Sequence, residues 1–402
     1  MHESGGDDVA VAGGSRLMPA AALEQLHGAL RESGYQVIGP TVADGAIVLR
    51  ELASAAELPF GWGVELAPGD YRLKERADSA AFGHSAGPQS WKNFLHPPRE
   101  KLWSVSRADG QLAVEAAGEP APPMAFIGVR GCDLRAIGIQ DRVLGGEHGS
   151  SRYAARRAGI FIVAVNCTEP GETCFCTSMG TGPQAGPGYD LALTELTAGG
   201  HRFLVDIGSP AGADILARVP TRPADDDTAG LARSAVEQAA GRMGRSVPAD
   251  VLHDLMTSSY DAARWDDVAA RCLTCGNCTM ACPTCFCSTV TDVTDLSGEH
   301  AERWQTWDSC FSLSFSYLPG GPVRASDRSR YRQWLTHKLG TWHDQFGSSG
   351  CVGCGRCIVW CPVGIDLTEE VAALLAESDR RQAQPGPAAE PAAGEPAAGE
   401  PR

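Results

Sequence analysis

The sequence predicts a multidomain α+β protein: an N-terminal α/β domain, a mainly helical cysteine-rich domain after it, and a disordered C-terminal tail. Three observations carry that prediction. Between residues 123 and 165, two continuous apolar runs flank a helical stretch, the pattern of a βαβ unit with parallel strands. Fifteen cysteines are present, and eight of them fall in two short blocks, 272–282 and 351–361. After about residue 381 the chain repeats Pro-Ala-Ala-Gly-Glu and has almost no large apolar side chain. The expected boundaries are 1–17 for a disordered N-terminus, 18–220 for the α/β domain, 221–247 for a linker and helix, 248–376 for the helical domain and 377–402 for the tail.

Residues 1–17 are Gly-rich and polar and offer nothing to bury. Leu23, Leu26 and Leu30 then recur three and four apart, on one face of a helix. Residues 46–50 and 71–76 read as strands. Trp62, Phe82, Trp91 and Phe94 lie in Pro- and Gly-rich loops and read as core anchors. The buried strand at 123–129 ends in Arg130-Gly131-Cys132-Asp133, with Asp133 placed to cap a helix through Ile137 and Val143. The strand at 159–165 ends at Asn166-Cys167. Cys132 and Cys167 are therefore expected just past the carboxyl ends of two parallel strands, the edge where open α/β sheets bind ligands. A loop follows with Thr173-Cys174-Phe175-Cys176. Two more strands (190–196 and 201–207), a polar boundary at 220–227 and helices at 229–242 and 248–271 deliver the chain to Cys272.

The two cysteine blocks share one pattern, C-x2-C-x2-C-x3-C-P. The first places Cys272, Cys275, Cys278 and Cys282 before Pro283; the second places Cys351, Cys354, Cys357 and Cys361 before Pro362. That is the run by which bacterial-type ferredoxins wrap [4Fe–4S] cubes, and in two-cluster members the fourth cysteine ligates the other cube. The helical domain is thus expected to be a two-cluster ferredoxin-type domain. One cluster takes Cys272, Cys275, Cys278 and Cys361; the other takes Cys351, Cys354, Cys357 and Cys282. Gly276, Gly353 and Gly355 suit a backbone that turns sharply against the cubes. The competing reading is a pair of zinc sites, which more often use separated Cys-x2-Cys pairs than two triplets each followed by Cys-Pro. Disulfides at such short spacings would be strained.

Cys132, Cys167, Cys174 and Cys176 supply four further thiolates on one sheet edge, a candidate third cluster with zinc as the second choice of metal; the competing reading makes Cys132 and Cys167 small core residues. Residues 283–350 form a long insertion that repeats Thr-Cys-Phe-Cys at 284–287 and adds Trp304, Trp307 and Cys310. Cys285, Cys287 and Cys310 are one thiolate short of a cube and stay unassigned, with packing beside the clusters preferred. Arg271 and Arg356, next to ligands, are candidates for favouring a reduced cluster by their charge, and Trp360 for excluding water.

The formal net charge of −15 argues against nucleic acid and anionic membranes as partners. The N-terminal residues lack the positive charge and apolar run of a signal peptide, and the apolar run at 160–165 is far too short to span a bilayer. A cytoplasmic location follows, and in a reducing compartment clustered thiols mean metal or redox chemistry. No Gly-x-Gly-x-x-Gly opens a helix after a strand, so no nicotinamide or flavin site is visible, and no acid–base dyad appears.

Four separate blocks, residues 128–137, 166–183, 272–287 and 351–365, resemble the beta subunit of soluble NAD(P)-linked [NiFe] sulfhydrogenases. The first, iron–sulfur-bearing chain of anaerobic sulfite reductase is similar in the same blocks. Gly131 departs from the pattern, where that family often has Pro. The resemblance implies a non-catalytic iron–sulfur electron-transfer subunit. Its expected partners are the hydrogenase (or sulfite reductase) catalytic subunits and an FAD- and NAD(P)-binding subunit. Two further readings compete with it: a self-contained iron–sulfur reductase, and a structural zinc scaffold.

Overall fold

Along the apolar strands, successive side chains point to opposite faces, so each face needs its own cover. The computed structural model shows that cover; it describes residues 14–383 apart from 109, 117–121 and 147–148. Eight strands make one mixed sheet in the order Arg222–Pro223, Arg16–Pro19, Arg202–Ile207, Leu191–Leu196, Ile160–Val165, Met124–Arg130, Gln36–Ala43, Ala46–Glu51. The four from Leu191–Leu196 to Gln36–Ala43 are parallel. Ala125, Ile127, Phe161 and Val163 pack on Leu23, Leu26 and Leu30 of the helix Leu23–Glu32 and on Ile215 and Leu216. Phe126, Ile162 and Ala164 face the other way, onto Leu134 and Ile137 of the helix Gly131–Leu144 and onto Trp91 and Leu95. This is the three-layer α/β arrangement expected from the βαβ pattern.

One irregularity aims the site. The register between Met124–Arg130 and Ile160–Val165 shifts at Gly128, whose φ is +96°, so Val129 rejoins the face of Phe126. Arg130 then pairs with Val165. Cys132 and Cys167, each two residues on, leave the same edge of the sheet, as the sequence implied.

The C-terminal half has its own core, in which Trp265, Phe311, Tyr331, Trp334, Leu335 and Ile358 pack together. Its helices are Leu252–Ser258, Arg264–Ala269, Asp327–Thr336, Trp342–Phe346 and Leu367–Ala383. "Mainly helical" needs correcting, however. Residues of the insertion form the hairpin Ser288–Thr294/His300–Trp307, which joins the hairpin Arg99–Ala108/Gln111–Ala116 in a four-stranded antiparallel sheet. The partner strand comes from far away in the chain, so no local pattern in 288–307 announced it.

The boundaries shift as well. Arg16 and Leu17, expected to be disordered, pair with Arg202–Ile207. The helix expected to end before 377 runs to Ala383. Ser15 also bonds Asp206 and Ala224, and residues 1–13 and 384–402 lie outside the described residues. Asp133 does not cap its helix, which starts at Arg130 without a side-chain cap; its carboxylate has another partner. Among the described residues no helix is long and apolar enough to cross a membrane.

Candidate metal centres

The two cysteine motifs fold alike. After the first cysteine each chain turns through two left-handed residues, Thr274 (φ +48°) and Gly276 (+76°) in one, Gly353 (+66°) and Gly355 (+74°) in the other. A single helical turn follows, Asn277–Met280 or Arg356–Val359, and carries the fourth cysteine away from its triplet. The N–H of Thr274 donates to Cys272 Sγ and that of Gly353 to Cys351 Sγ, each at 3.4 Å. In the second motif that amide belongs to a glycine; Gly276 and Gly355 supply the turn.

Cys272, Cys275, Cys278 and Cys361 line one cavity, together with Cys357, Phe311, Tyr331 and Trp334. The four cysteines that the spacing groups crosswise thus border one space, which Cys357 of the other set borders as well. The second set meets around Cys282: burial pushes the Cys357 thiol far up, and the charges of Cys351, Cys354 and Cys282 add to that. Burial likewise pushes Cys351 to about 12. Thiols in dry surroundings stay protonated unless a metal takes the proton's place.

Cys132, Cys167, Cys174 and Cys176 line a separate cavity, with Arg130, Ser85 and Cys354 on its wall. Burial pushes Cys176 to about 12 and Cys132 well above its usual range. Among the described residues no three His, Cys, Asp or Glu side chains converge tightly enough to grip a bare ion; the thiols stand around these spaces instead. The walls also carry donors with nothing to donate to. Tyr331 Oη and Trp334 Nε1 on the first cavity, and Arg130 Nη1 and Ser85 Oγ on the other, are buried without a hydrogen-bond partner. Orphaned buried donors are costly. An anionic cluster with sulfide acceptors would offer them partners, so the residues fit the group.

A 4Fe-4S dicluster domain model matches residues 271–365. The chain is 32% identical over 282 residues to sulfhydrogenase 2 subunit beta of Pyrococcus furiosus, covering 68% of this chain and 79% of that one. The chain belongs to the sulfhydrogenase beta-subunit family. No solved structure matches it.

In this family member the dicluster domain and the α/β sheet edge are locked together. The N–H of Phe175 donates to Gly353 O (2.8 Å) and Thr181 Oγ1 to Val352 O (2.6 Å). A Cβ on Gly353 would lie 2.6 Å from Phe175 O and Cys176 N, so this close approach requires glycine. Phe175 itself is 1% exposed and sits in the C-terminal core. Beside it Arg356 grips Asp133 through two bonds of 2.8 and 3.1 Å, both side chains buried. This corrects two expectations: Asp133 is a counter-ion rather than a cap, and Arg356 brings little free charge to its cluster. Arg271 is similarly tied to the buried Glu370 at 2.6 Å. Trp360 packs against Tyr71, ring centroids 5.3 Å apart.

The sequence reading missed Lys338. Its ammonium is buried and donates to Cys282 Sγ (3.2 Å), Thr284 Oγ1 (3.2 Å) and Gly350 O (3.3 Å). The Cys282 thiol is held well below its usual range by hydrogen bonding from Cys285 and Thr284 and by that charge. The available signal was a lysine between Leu335 and Leu339 on an apolar helix face. Cys285, Cys287 and Cys310 line neither cavity.

Proposed function

We propose that the chain carries single electrons within a multi-subunit hydrogenase, linking the [NiFe] catalytic subunits to an FAD- and NAD(P)-binding subunit. Three [4Fe–4S] clusters would be held by Cys272/Cys275/Cys278/Cys361, Cys351/Cys354/Cys357/Cys282 and Cys132/Cys167/Cys174/Cys176. Such clusters exchange one electron at a time, at potentials set by burial and by hydrogen bonds to sulfur. One observation supports the relay above all: cysteines of the second set border both of the other thiol-lined cavities. Cys354, of the second set, borders the cavity of the third, and Cys357 borders that of the first.

The protein's residues do three things there. The left-handed turns and Phe175 fix the thiolates, so that little rearranges when charge changes. Phe311, Tyr331 and Trp334 keep water from the first site. At the ends the sites meet the surface: Cys275 is exposed beside Leu273, and Ser85 and Pro170 of the third cavity also line an open groove with Arg76 and His84. Surface access at both sites suits two separate partners, in the cytoplasm.

The test is anaerobic purification with iron and acid-labile sulfide analysis. Three cubes require about twelve of each per chain, and Cys132→Ser should remove about four. Eight in the unmodified protein, unchanged by that substitution, would leave two cubes only. Co-purifying subunits decide the complex: [NiFe] subunits support this reading, and a sulfite reductase subunit replaces it.

A further inference from the structure

Three of the cations beside the cysteine sites already have partners. Arg271 is tied to Glu370, Arg356 to Asp133, and Lys338 donates to Cys282. Arg130 differs from them. It ends the strand Met124–Arg130, two residues before Cys132, and lines the cavity of the third cysteine set. It is buried, at 5% exposure. Its Nη2 donates to Phe82 O and to His84 O, each at 2.7 Å, while its Nη1 has no hydrogen-bond partner. Among the described residues no carboxylate pairs with it. Asp133, which lines one pocket with Arg130, is held by Arg356.

The guanidinium is fixed in place by its acceptors. They belong to a segment that Glu195 fastens, accepting from the N–H of Ala81 at 2.7 Å and of Phe82 at 2.8 Å. His84 adds no second charge, because burial, together with the charge of Arg130, holds its imidazole down to about 3. The wall therefore carries one positive charge, and an arginine keeps it at any physiological pH.

Ser85 is an independent observation on the same wall. It is 4% exposed, lines the same cavity, and its Oγ has no hydrogen-bond partner. A Cβ on Gly171 would lie 2.6 Å from that oxygen, and the N–H of Gly171 donates to Cys174 Sγ at 3.4 Å. The hydroxyl thus stands against the loop that carries two of the four thiols. A buried cation and a buried hydroxyl, both lacking an acceptor and both bordering one space, call for an anion in it.

We propose that Arg130 sets the potential of the third cluster, with Ser85 Oγ as a second hydrogen-bond donor to it. Arg130 binds no iron. Reduction adds one electron, passed on from the second cluster, and with it one negative charge; no bond forms or breaks. Burial opposes that added charge, and a fixed guanidinium on the wall offsets the opposition. The inference rests on the three-cluster reading and goes beyond it by naming what makes the buried third cube reducible.

The experiment is an EPR-monitored redox titration of anaerobically purified full-length protein, with any co-purifying subunits. The unmodified chain is compared with Arg130→Gln and Arg130→Lys, and the third cluster's signal is the one that Cys132→Ser removes. In Arg130→Gln the ratio of reduced to oxidised third cluster at a fixed potential should fall about tenfold or more, a midpoint lowered by about 59 mV per factor of ten. Lysine should restore most of that ratio, and the signal lost in Cys361→Ser should stay where it was. A third-cluster midpoint unmoved in Arg130→Gln overturns the proposal. So does a lysine variant that behaves like the glutamine one, since charge would then not be the cause. Ser85→Ala should move the same midpoint downward by a smaller factor, and no movement would strike Ser85 out. Should Arg130→Gln not fold, pulsed EPR on unmodified protein carrying guanidino-15N arginine decides. Nitrogen coupling to the third cluster's signal is expected, and its absence overturns the proposal. About eight irons per chain, unchanged by Cys132→Ser, would remove the third cluster itself, a result separate from any shift in midpoint.

Discussion

The two cysteine motifs match in spacing, in backbone turns and in the amide that addresses their first sulfur, yet they sit in opposite surroundings. The first opens outward: Cys275 is exposed, Leu273 is 62% exposed, and the crosswise Cys361 sulfur receives only the backbone N–H of Ile365 at 3.3 Å. The second is sealed between two cores, pinned by Phe175, flanked by the Arg356–Asp133 pair, and its crosswise Cys282 receives a buried ammonium. One ligand pattern therefore supplies two different electrostatic sites. The motif specifies what is held, and the surrounding chain specifies how readily it is reduced.

The largest break in the comparison comes from the crosswise ligands. Cys361→Ser should cost about four iron atoms and the reduced EPR signal of the exposed cluster, with the buried one kept. Cys282→Ser should do the reverse. If Cys361→Ser instead abolishes the buried cluster's signal, the crosswise assignment is wrong. Next comes the seal. A Cβ at Gly353 has a carbonyl oxygen and an amide nitrogen at 2.6 Å, both backbone, so neither yields cheaply. Gly353→Ala should destabilise by about 3 kcal/mol or more and loosen the loop of Cys174 and Cys176. Unfolding curves and iron content check it together. Arg356→Ala leaves the Asp133 carboxylate buried and unmatched, at a cost of about 3–5 kcal/mol; replacing both by apolar residues should cost much less, which a double-mutant cycle measures.

These contacts explain how much the sequence disclosed. The βαβ strands and the edge carrying Cys132 and Cys167 were legible because each follows from local periodicity, and ligand spacing singled out the cysteines that border the first cavity. The hairpin at 288–307 was not, since its pairing partner, Arg99–Ala108, lies almost two hundred residues earlier. Asp133 looked like a cap because its local position allows one; Arg356, far along the chain, claims it instead. Lys338 carried no motif. For Lys338, no carboxylate pairs with the buried ammonium among the described residues, which only the folded chain reveals.

Lys338→Met tests the electrostatic half of the comparison. A buried positive charge at hydrogen-bond distance from a ligand sulfur favours the more negative, reduced cluster. At an effective dielectric near 20 its removal is worth about 2–3 kcal/mol, or roughly 100 mV for one electron. The buried cluster's potential should fall by that order, and the exposed one's should stay within a few tens of millivolts. An EPR-monitored redox titration resolves both. Equal shifts in the two clusters would show that Lys338 acts through the fold rather than through its charge on Cys282.

The smallest expected effect uses the one backbone position where the motifs differ in strain. Gly353 and Thr274 occupy equivalent left-handed turns, at φ +66° and +48°, but only the first is glycine. Holding a β-branched residue there costs about 1–2 kcal/mol, against about 0.5–1 kcal/mol of extra chain entropy for glycine in the unfolded state. Thr274→Gly should therefore stabilise by about 0.5–1 kcal/mol, the opposite sign to Gly353→Ala. The amide bonding Cys272 Sγ survives the change, so the exposed cluster should keep its iron and its potential. A stability loss would mean that the threonine side chain contributes more than its strain removes, and the exposed loop would then be held by that side chain as the buried loop is held by Phe175.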